Sequence, residues 1–350
     1  MKKRLVWSFF GAGILVFAVV AVLTIWVLRA MDAPHAHDKA QSYLTITRGT
    51  PPAAIVSKLE AEGILADARP VLLYLRLFGD AARLKAGDYR FDSPITPRQV
   101  LAELEKGETR AIKFTIPEGF TLFDLAKRIK ERLPAEARSE QEILGLFEDP
   151  SPISDIAPQA PNLEGYLYPS TYELSLEART EDVIRAAVTQ FRKIWKPEWT
   201  EMASRLGLTP HQVVTIASLV ETETAVTDER PIIASVIYNR LKRGIPLGID
   251  QTCVYVAKME GRWDSNINKS DLQADSPYNT RRYAGLPPGP IASPSASSIE
   301  AALLPAETAY LFFVRDVSKN NGSHRFYTSA TEFERGKADY QRWLQQLRGK

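Results

Sequence analysis

Cysteine and histidine are scarce in this sequence: the 350 residues include one cysteine, Cys253, and four histidines. A single thiol cannot form an internal disulfide and excludes the cysteine-rich clusters that hold structural zinc. The sequence also lacks H-E-x-x-H, the helical zinc motif, and G-x-S-x-G, the turn that carries a serine nucleophile. We therefore predict no metal, no cofactor and no Ser-His-Asp hydrolase.

An excess of charge of one sign is also absent. Lysine and arginine together number 44 and aspartate and glutamate 42, which leaves a net charge of +2. Nucleic-acid-binding proteins usually carry a strongly basic patch, so we expect no nucleic-acid partner. The composition, 45% hydrophobic and 25% charged, is ordinary for a globular protein, and the length favours two folded domains.

Charged residues are missing altogether from Leu5 to Leu28, a run of 24 residues. As a helix, this run is long enough to span the roughly 30 Å hydrocarbon core of a membrane. A signal peptide has a shorter apolar region, about 7–15 residues. The basic residues at positions 2–4 precede the run, and the positive-inside rule then puts the remainder of the chain outside the cytoplasm. We predict a single-pass protein of the cell inner membrane with a cytoplasmic tail (1–4), a transmembrane helix (5–28), a linker (29–42) and its bulk in the periplasm.

A weak internal repeat follows the linker. Ile46-Thr47-Arg48-Gly49 and Ile116-Pro117-Glu118-Gly119 lie 70 residues apart, and each precedes apolar residues spaced four apart. Each copy predicts a short strand, a turn at glycine and an amphipathic helix. The pattern resembles LysM modules, βααβ units that in other proteins bind glycans containing N-acetylglucosamine, and a generic α+β lobe would explain it equally well. The predicted fold class is α+β, with a LysM-like glycan-binding lobe (43–142) and a mixed α+β catalytic domain (143–350).

Two glutamates near the end of a predicted helix are the candidate catalytic acids. Thr209-Pro210 opens this helix, and its apolar stripe continues to Val220. At about 100° per residue, Glu221 and Glu223 fall similar distances on either side of the stripe, so periodicity does not choose between them. A carboxyl at such an apolar edge loses solvation, which raises its pKa and suits a general acid. Two ordinary glutamates at a helix flank would give the same pattern.

The order of motifs in this part of the chain resembles the YceG-like family of endolytic lytic transglycosylases. The resemblance covers about residues 43–347, and its motifs are V-E-T-E-T-A-V-T-D-E-R, N-L-E-G-Y-L-Y-P-S-T-Y, S-P-Y-N-T and G-L-P-P-G-P-I-A-S-P. It implies that the first glutamate of V-E-T-E-T, Glu221, is catalytic. Where the family often has D-P-T, this chain has Asp250-Gln251-Thr252, which should loosen the turn but keeps the aspartate.

The resemblance also implies the reaction. A lyase of this family cleaves the β-1,4 bond between N-acetylmuramic acid and N-acetylglucosamine in peptidoglycan without water and leaves a 1,6-anhydro-muramyl end. It implies action on nascent glycan strands beside peptidoglycan synthases. Asn, Gln, Tyr and Thr side chains can exchange hydrogen bonds with sugar hydroxyls. Most of the candidate substrate-binding residues are of these four types or occupy one of two family positions, Glu164 and Glu223. The full set is Glu164, Tyr166, Glu223, Asn239, Arg240, Asp250, Gln251, Thr252, Tyr278, Asn279 and Thr280.

Two other functions stay open at this point. One is an inverting muramidase, a hydrolase in which Glu221 is the acid and Asp250 the base. The other is a membrane-anchored scaffold that binds the cell wall through the LysM-like lobe and cleaves nothing.

Overall fold

The computed structural model describes residues 2–47, 49–107, 111–319 and 321–348. The side chains of residues 1–16 and 347–350 are not described. The chain divides into two compact units, residues 1–111 and 112–350. The fold is mixed α+β, as predicted, with short strands and many helices. Each unit has its own hydrophobic core.

The first unit contains a βααβ module after a long helix. Its elements are α1 (Lys2–Asp32), β1 (Leu44–Ile46), α2 (Pro52–Ala61), α3 (Ala68–Leu77), a 3₁₀ turn (Ala81–Arg83), β2 (Gly87–Tyr89) and α4 (Pro97–Lys106). Strands β1 and β2 pair antiparallel, with Leu44 opposite Tyr89. The order β1-α2-α3-β2 is the topology of the LysM modules that the repeat resembles.

Helix α4 follows the module and begins and ends as its sequence predicts. Thr96 caps it in a capping box with Gln99, and Pro97 occupies the first turn. Gly107 ends it in the left-handed conformation, with φ of 73°.

The predicted transmembrane segment falls within α1. Among the side chains that are described, no helix is long and apolar enough to cross a membrane. The predicted tail (1–4) and the first part of the predicted span (5–16) lie outside those side chains. In the described part of α1, Phe17, Val20 and Val22 are exposed, whereas Val27 and Met31 are buried in the core of the first unit.

The second unit begins with another βααβ order and continues into a cluster of helices. Its elements are β3 (Ala111–Ile116), α5 (Leu122–Arg132), α6 (Glu140–Phe147), a 3₁₀ turn (Ser151–Ile153), β4 (Ser170–Ser175), α7 (Thr180–Ile194), α8 (Pro197–Arg205), α9 (Pro210–Glu223), a 3₁₀ turn (Thr227–Glu229), α10 (Arg230–Lys242), α11 (Asp250–Met259), α12 (Lys269–Leu272), α13 (Ala296–Leu303), β5 (Phe312–Arg315), β6 (His324–Tyr327) and α14 (Ala330–Arg348). Strand β3 pairs with β4, and β5 pairs antiparallel with β6.

The second copy of the repeat belongs to this unit, so the division at 111/112 lies well before the predicted boundary at 142/143. Phe114, Leu125 and Ile143 from that copy join the same core as the helices that follow. The sequence pattern showed that two copies exist, but not which core each copy would join. Arg48, within the first copy, lies outside the described residues.

Helix α9 lies at the centre of the second unit. Thr209 and Gln212 form a capping box at its predicted start, and Pro210 occupies its first turn. Every residue from Val213 to Val220 is buried. Helices α8, α10, α11 and α13 pack against α9. The last turn, which carries both glutamates, is partly exposed and continues directly from this buried stretch.

Candidate active site

Glu221 and Glu223 occupy the last turn of α9, and their side chains enter different surroundings. Two residues correspond to about 200° of helical rotation, so the two carboxyls point in nearly opposite directions. Thr224 has an extended backbone and ends the helix.

The carboxyl of Glu221 is fully engaged by hydrogen-bond donors. Arg230 donates from Nη2 to Oε1 at 2.9 Å, and the Ser295 backbone N–H donates to Oε2 at 2.8 Å. The Ser295 hydroxyl also donates to Oε2, at 2.5 Å. The side chain is 4% exposed, and Ser295 is the N-cap of α13, where the helix dipole favours an anion. A guanidinium and a backbone N–H can only donate, so Glu221 acts as the acceptor in these contacts.

The carboxyl of Glu223 is in the opposite situation. It is partly exposed, and no hydrogen bond to it occurs among the described residues. Burial raises its pKa to about 7, and the negative charge of Asp250 acts in the same direction, whereas the positive charge of Arg240 opposes them. A carboxyl with this pKa is protonated in a large fraction of molecules near neutral pH, which is the condition for a general acid.

Arg240, whose positive charge acts on Glu223, is held by backbone carbonyls. Its Nε donates to the carbonyl of Leu311 at 2.6 Å, and its Nη1 donates to that of Leu247 at 2.6 Å. The guanidinium also lies over the ring of Phe312, 5.1 Å from its centroid. Arg240 thereby connects the end of α10 to the turn before α11 and to the β5 strand.

Asp250 begins α11 and pairs with Arg281, whose Nη1 donates to Oδ1 at 2.5 Å. The preceding turn needs Gly248, which has φ of 64° and would bring any Cβ to 3.2 Å from Nη1 of Arg240. Its N–H donates to the carbonyl of Thr280 at 2.8 Å. Asp250 and its neighbour Gln251 are both partly exposed. Glu223, Arg240, Asp250 and Gln251 therefore form the accessible part of the site.

The motifs within this geometry are those of a known family. A sequence model of the YceG-like family matches residues 44–339. This chain belongs to the YceG-like family. The family predicted from the motifs is thus confirmed.

Proteins similar to this chain include two endolytic murein transglycosylases and one protein of known structure. An endolytic murein transglycosylase of Bacillus subtilis (strain 168) is 31% identical over 319 residues, which are 87% of this chain and 86% of that protein. Another, of Streptococcus pneumoniae serotype 2 (strain D39), is 31% identical over 327 residues, which are 84% of this chain and 58% of that protein. The 2.6 Å crystal structure of the YceG-like protein lmo1499 from Listeria monocytogenes superposes with a TM-score of 0.56 at 30% identity, covering 84% of this chain and 98% of that one.

Several family motifs hold the fold together and do not line the accessible site. Six of the predicted substrate-binding residues are buried in the structure: Glu164, Tyr166, Thr252, Tyr278, Asn279 and Thr280. Asn279 illustrates the reason, because its Nδ2 donates to the carbonyls of Leu272 and Ala274. Its Oδ1 accepts from the Arg281 backbone N–H at 3.1 Å. With these contacts made and no exposed surface, the side chain cannot reach a sugar.

Asn239 is partly exposed but is also used within the fold. Its Nδ2 donates to the carbonyls of Thr308 and Tyr310, both at 2.9 Å. This side chain fixes α10 against the segment before β5.

Glu164 is the most unusual of the buried residues. Its Oε2 accepts from the Leu122 N–H, at the start of α5, at 3.0 Å. Burial raises the pKa of this carboxyl to about 8. It is therefore mainly neutral at neutral pH and belongs to the packing between α5 and the N-L-E-G-Y segment.

Sequence reasoning missed the partners of Glu221. Arg230 and Ser295 were not among the candidates, although Arg230 closes the same V-E-T-E-T-A-V-T-D-E-R motif. Arg230 also donates to the hydroxyls of Ser295 and Ser297. Because Ser295 is 74 residues beyond Glu221, no local pattern could have paired them. In the described part of the chain, no group of three or more His, Cys, Asp or Glu side chains could hold a metal ion.

Proposed function

We propose that this chain is an endolytic murein transglycosylase, a lyase that cleaves the β-1,4 bond between N-acetylmuramic acid and N-acetylglucosamine in peptidoglycan. Relatives in Bacillus subtilis and Streptococcus pneumoniae carry that name, and the family match includes α9 with both glutamates. The observation that carries the proposal is the partly exposed carboxyl of Glu223, whose pKa is raised to about 7.

In the proposed reaction, Glu223 supplies the proton for bond cleavage. The protonated carboxyl donates to the glycosidic oxygen as that oxygen leaves the anomeric carbon of the muramyl residue. The resulting carboxylate then accepts the proton of the muramyl 6-hydroxyl, whose oxygen bonds to the anomeric carbon. The products are a glycan with a free 4-hydroxyl and a glycan ending in 1,6-anhydro-muramic acid. One carboxyl serves both steps, so water and a carboxylate nucleophile are not needed.

Glu221 has a supporting role in this proposal, which changes the assignment made from the family motif. Its contacts with Arg230 and Ser295 tie α9 to the starts of α10 and α13, and they occupy both of its oxygens. Asp250 and Arg240, which flank Glu223, set its pKa by opposing charges. Glu221 as the acid is the alternative that mutagenesis has to exclude.

The test compares Glu223→Gln with Glu221→Gln. We expect Glu223→Gln to lower the rate of anhydro-muropeptide release from purified glycan strands by at least about 10²-fold, without lowering the melting temperature. We expect Glu221→Gln to lower the melting temperature, because it removes the nearer and buried one of the two carboxylates that pair with the buried Arg230 and leaves only the exposed Glu118, at 3.7 Å.

A matched control separates stability from chemistry. The double variant Glu221→Gln, Arg230→Gln removes both charges and should recover stability and cleavage relative to Glu221→Gln alone. If the double variant were folded but inactive, while Glu223→Gln released products at the wild-type rate, Glu221 would be the acid.

Product analysis distinguishes the other two functions. Mass spectrometry should find 1,6-anhydro ends on the released fragments. Reducing ends would instead indicate a muramidase with a carboxylate such as Asp250 as base. Binding of glycan with no released fragments, and no effect of Glu223→Gln, would indicate a scaffold.

The location of the protein is proposed from its N-terminal sequence. The uncharged run from Leu5 to Leu28 supports a single transmembrane helix in the cell inner membrane, with residues 1–4 in the cytoplasm and the bulk in the periplasm. Exposed apolar side chains at Phe17, Val20 and Val22 of α1 agree with this proposal. The βααβ order of the first unit supports glycan binding by that lobe, and peptidoglycan synthases are proposed as partners on the family resemblance alone.

A further inference from the structure

Arg281 lies beside the accessible part of the site, and the mechanism proposed above makes no use of it. Its side chain is 43% exposed, and its Nη1 donates to Oδ1 of Asp250. The charge of Asp250 acts in turn on Glu223. One carboxylate thus connects Arg281 to the proposed acid.

Buried residues of the S-P-Y-N-T motif fix the backbone that carries Arg281. The Arg281 N–H donates to Oδ1 of the fully buried Asn279 at 3.1 Å. The Thr280 carbonyl accepts from the Gly248 N–H at 2.8 Å, and the Thr280 hydroxyl accepts from the Ile249 N–H at 3.1 Å. The segment that ends at Arg281 is therefore attached to the turn before α11, and this attachment places Arg281 beside Asp250.

The guanidinium of Arg281 keeps donors for a second anion. A guanidinium has five N–H groups in a planar fork. Within the part of the chain that the structure describes, only Nη1 of this guanidinium donates to an acceptor. The fork can therefore bind another carboxylate while the contact with Asp250 is kept.

Together with Arg281, the accessible part of the site is net positive. When Glu223 is protonated, Asp250 supplies one negative charge, and Arg240 and Arg281 supply two positive charges. Arg240 already gives its Nε and Nη1 to backbone carbonyls. Arg281 is thus the better placed of the two to bind an anionic group of a substrate that reaches Glu223.

We propose that Arg281 binds a carboxylate of the stem peptide carried by the muramyl residue whose bond is cleaved. The inference rests on the proposed function and names the part of the substrate that this residue recognises. In peptidoglycan, the lactyl group of N-acetylmuramic acid is joined by an amide bond to a short peptide with free carboxylates, whereas N-acetylglucosamine carries no charge. The enzyme would therefore prefer glycan strands that retain their peptides and would place the muramyl residue, and not its neighbour, at the acid.

The experiment measures the binding of soluble, uncross-linked glycan strands to the full chain in detergent by calorimetry. Every chain carries Glu223→Gln, so that the strands are not cleaved during the titration. One set of strands keeps its peptide carboxylates, and in the other set carbodiimide coupling has converted them to amides. We expect the chain to bind the carboxylate strands about tenfold more tightly than the amidated strands.

Arg281→Gln should weaken binding of the carboxylate strands about tenfold and leave binding of the amidated strands unchanged. Arg281→Lys keeps the positive charge and should lose less affinity than Arg281→Gln. Arg282→Gln is the matched control, because Arg282 is the next residue and is 48% exposed, but donates to the carbonyl of Gln273 at 3.3 Å and lies 3.7 Å from Asp275. It should leave binding of both sets unchanged.

Three results would overturn the inference: unchanged affinity in Arg281→Gln, an equal loss for both sets of strands, or the same loss in Arg282→Gln. An equal loss would mean that Arg281 acts through the fold or through Asp250 and does not contact the peptide. Arg281→Gln should keep the melting temperature of its parent chain, because an exposed ion pair contributes little to stability.

The same chains separate this inference from the proposed function. If Glu223→Gln still released fragments, the acid assignment would fail, and the KM of that cleavage for the two sets of strands would then test Arg281. If even the wild type released no fragments while Arg281→Gln lost binding, the chain would be a scaffold and the contact with the peptide would stand. If cleavage required Glu223 and Arg281→Gln bound normally, only the contact with the peptide would fail.

Discussion

Two glutamates separated by one residue take different roles because the helix turns them into different surroundings. Glu221 meets a guanidinium, a backbone N–H and a hydroxyl, and all three stabilise an anion. Glu223 meets apolar groups, the carboxylate of Asp250 and solvent, and this combination keeps a proton on it. Both residues are glutamates, and the neighbours of each one set its different surroundings.

The charge on Asp250 gives a prediction for the pH dependence of cleavage. Activity requires protonated Glu223, so kcat should fall as pH rises through about 7. Asp250→Asn removes a negative charge that disfavours ionisation of Glu223, so the pKa of Glu223 should fall. We expect the alkaline limb of the kcat profile to move to lower pH. A pH series with purified glycan strands measures this shift.

Asp228→Asn is the control for that series, since Asp228 is an exposed aspartate on the segment between α9 and α10. It should leave the profile in place. A profile for Asp250→Asn that coincides with the wild type, or moves to higher pH, would show that Asp250 does not act on the acid in this way.

At the scale of elements, the segment after Glu223 is held by a buried carboxylate. Glu229 accepts from the His324 backbone N–H and from its Nδ1, both at 2.8 Å. It also accepts from the hydroxyl of Thr224 at 3.4 Å. The end of α9, the start of α10 and strand β6 therefore meet at the side chain of Glu229. These contacts limit the movement of Glu223, which directly precedes Thr224.

Glu164, which accepts a hydrogen bond from the start of α5, gives a prediction about stability. Its pKa is about 8 in the folded chain, against an ordinary value of 4.5. Between pH 4.5 and about 8, Glu164 has released its proton in the unfolded chain but keeps it in the folded chain. The free energy of unfolding therefore falls as pH rises through this range. Glu164→Gln cannot ionise and loses this dependence. Its melting temperature, relative to the wild type, should rise steadily from pH 4.5 to about 8.

Thermal unfolding followed by circular dichroism across that range is the measurement. Glu140→Gln is the comparison, because Glu140 is an exposed glutamate in the first turn of α6. If the melting temperatures of Glu164→Gln and the wild type changed with pH in the same way, Glu164 would not be a buried, neutral carboxyl.

At the scale of the whole molecule, the two units have separate cores, and every residue of the proposed site lies in the second. We expect residues 112–350 alone to fold and to cleave soluble glycan oligomers at a rate close to that of the full chain. Circular dichroism, thermal unfolding and product analysis of this fragment test the expectation. A fragment that fails to unfold cooperatively would show that the second unit needs the first.

Local sequence predicted much of the fold, because caps and periodic patterns act over a few residues. The pair Thr209-Pro210 predicts the start of α9, and Thr209 caps that helix in the structure. Thr96 and Thr121 cap α4 and α5 through the same kind of capping box. Asn321-Gly322, a dipeptide typical of hairpin turns, lies between β5 and β6.

By itself, the sequence determined the family, the helix that carries the acid and the pair of glutamates at its end, because each depends on residues close together in the chain. The tertiary structure decided which glutamate keeps a proton. That choice depends on Ser295, Arg230, Arg240 and Asp250, which reach the end of α9 only after the chain has folded. Ionisation responds to all charges and donors within a few ångströms, whatever their separation in sequence, and so the pattern of one helix could not contain the answer.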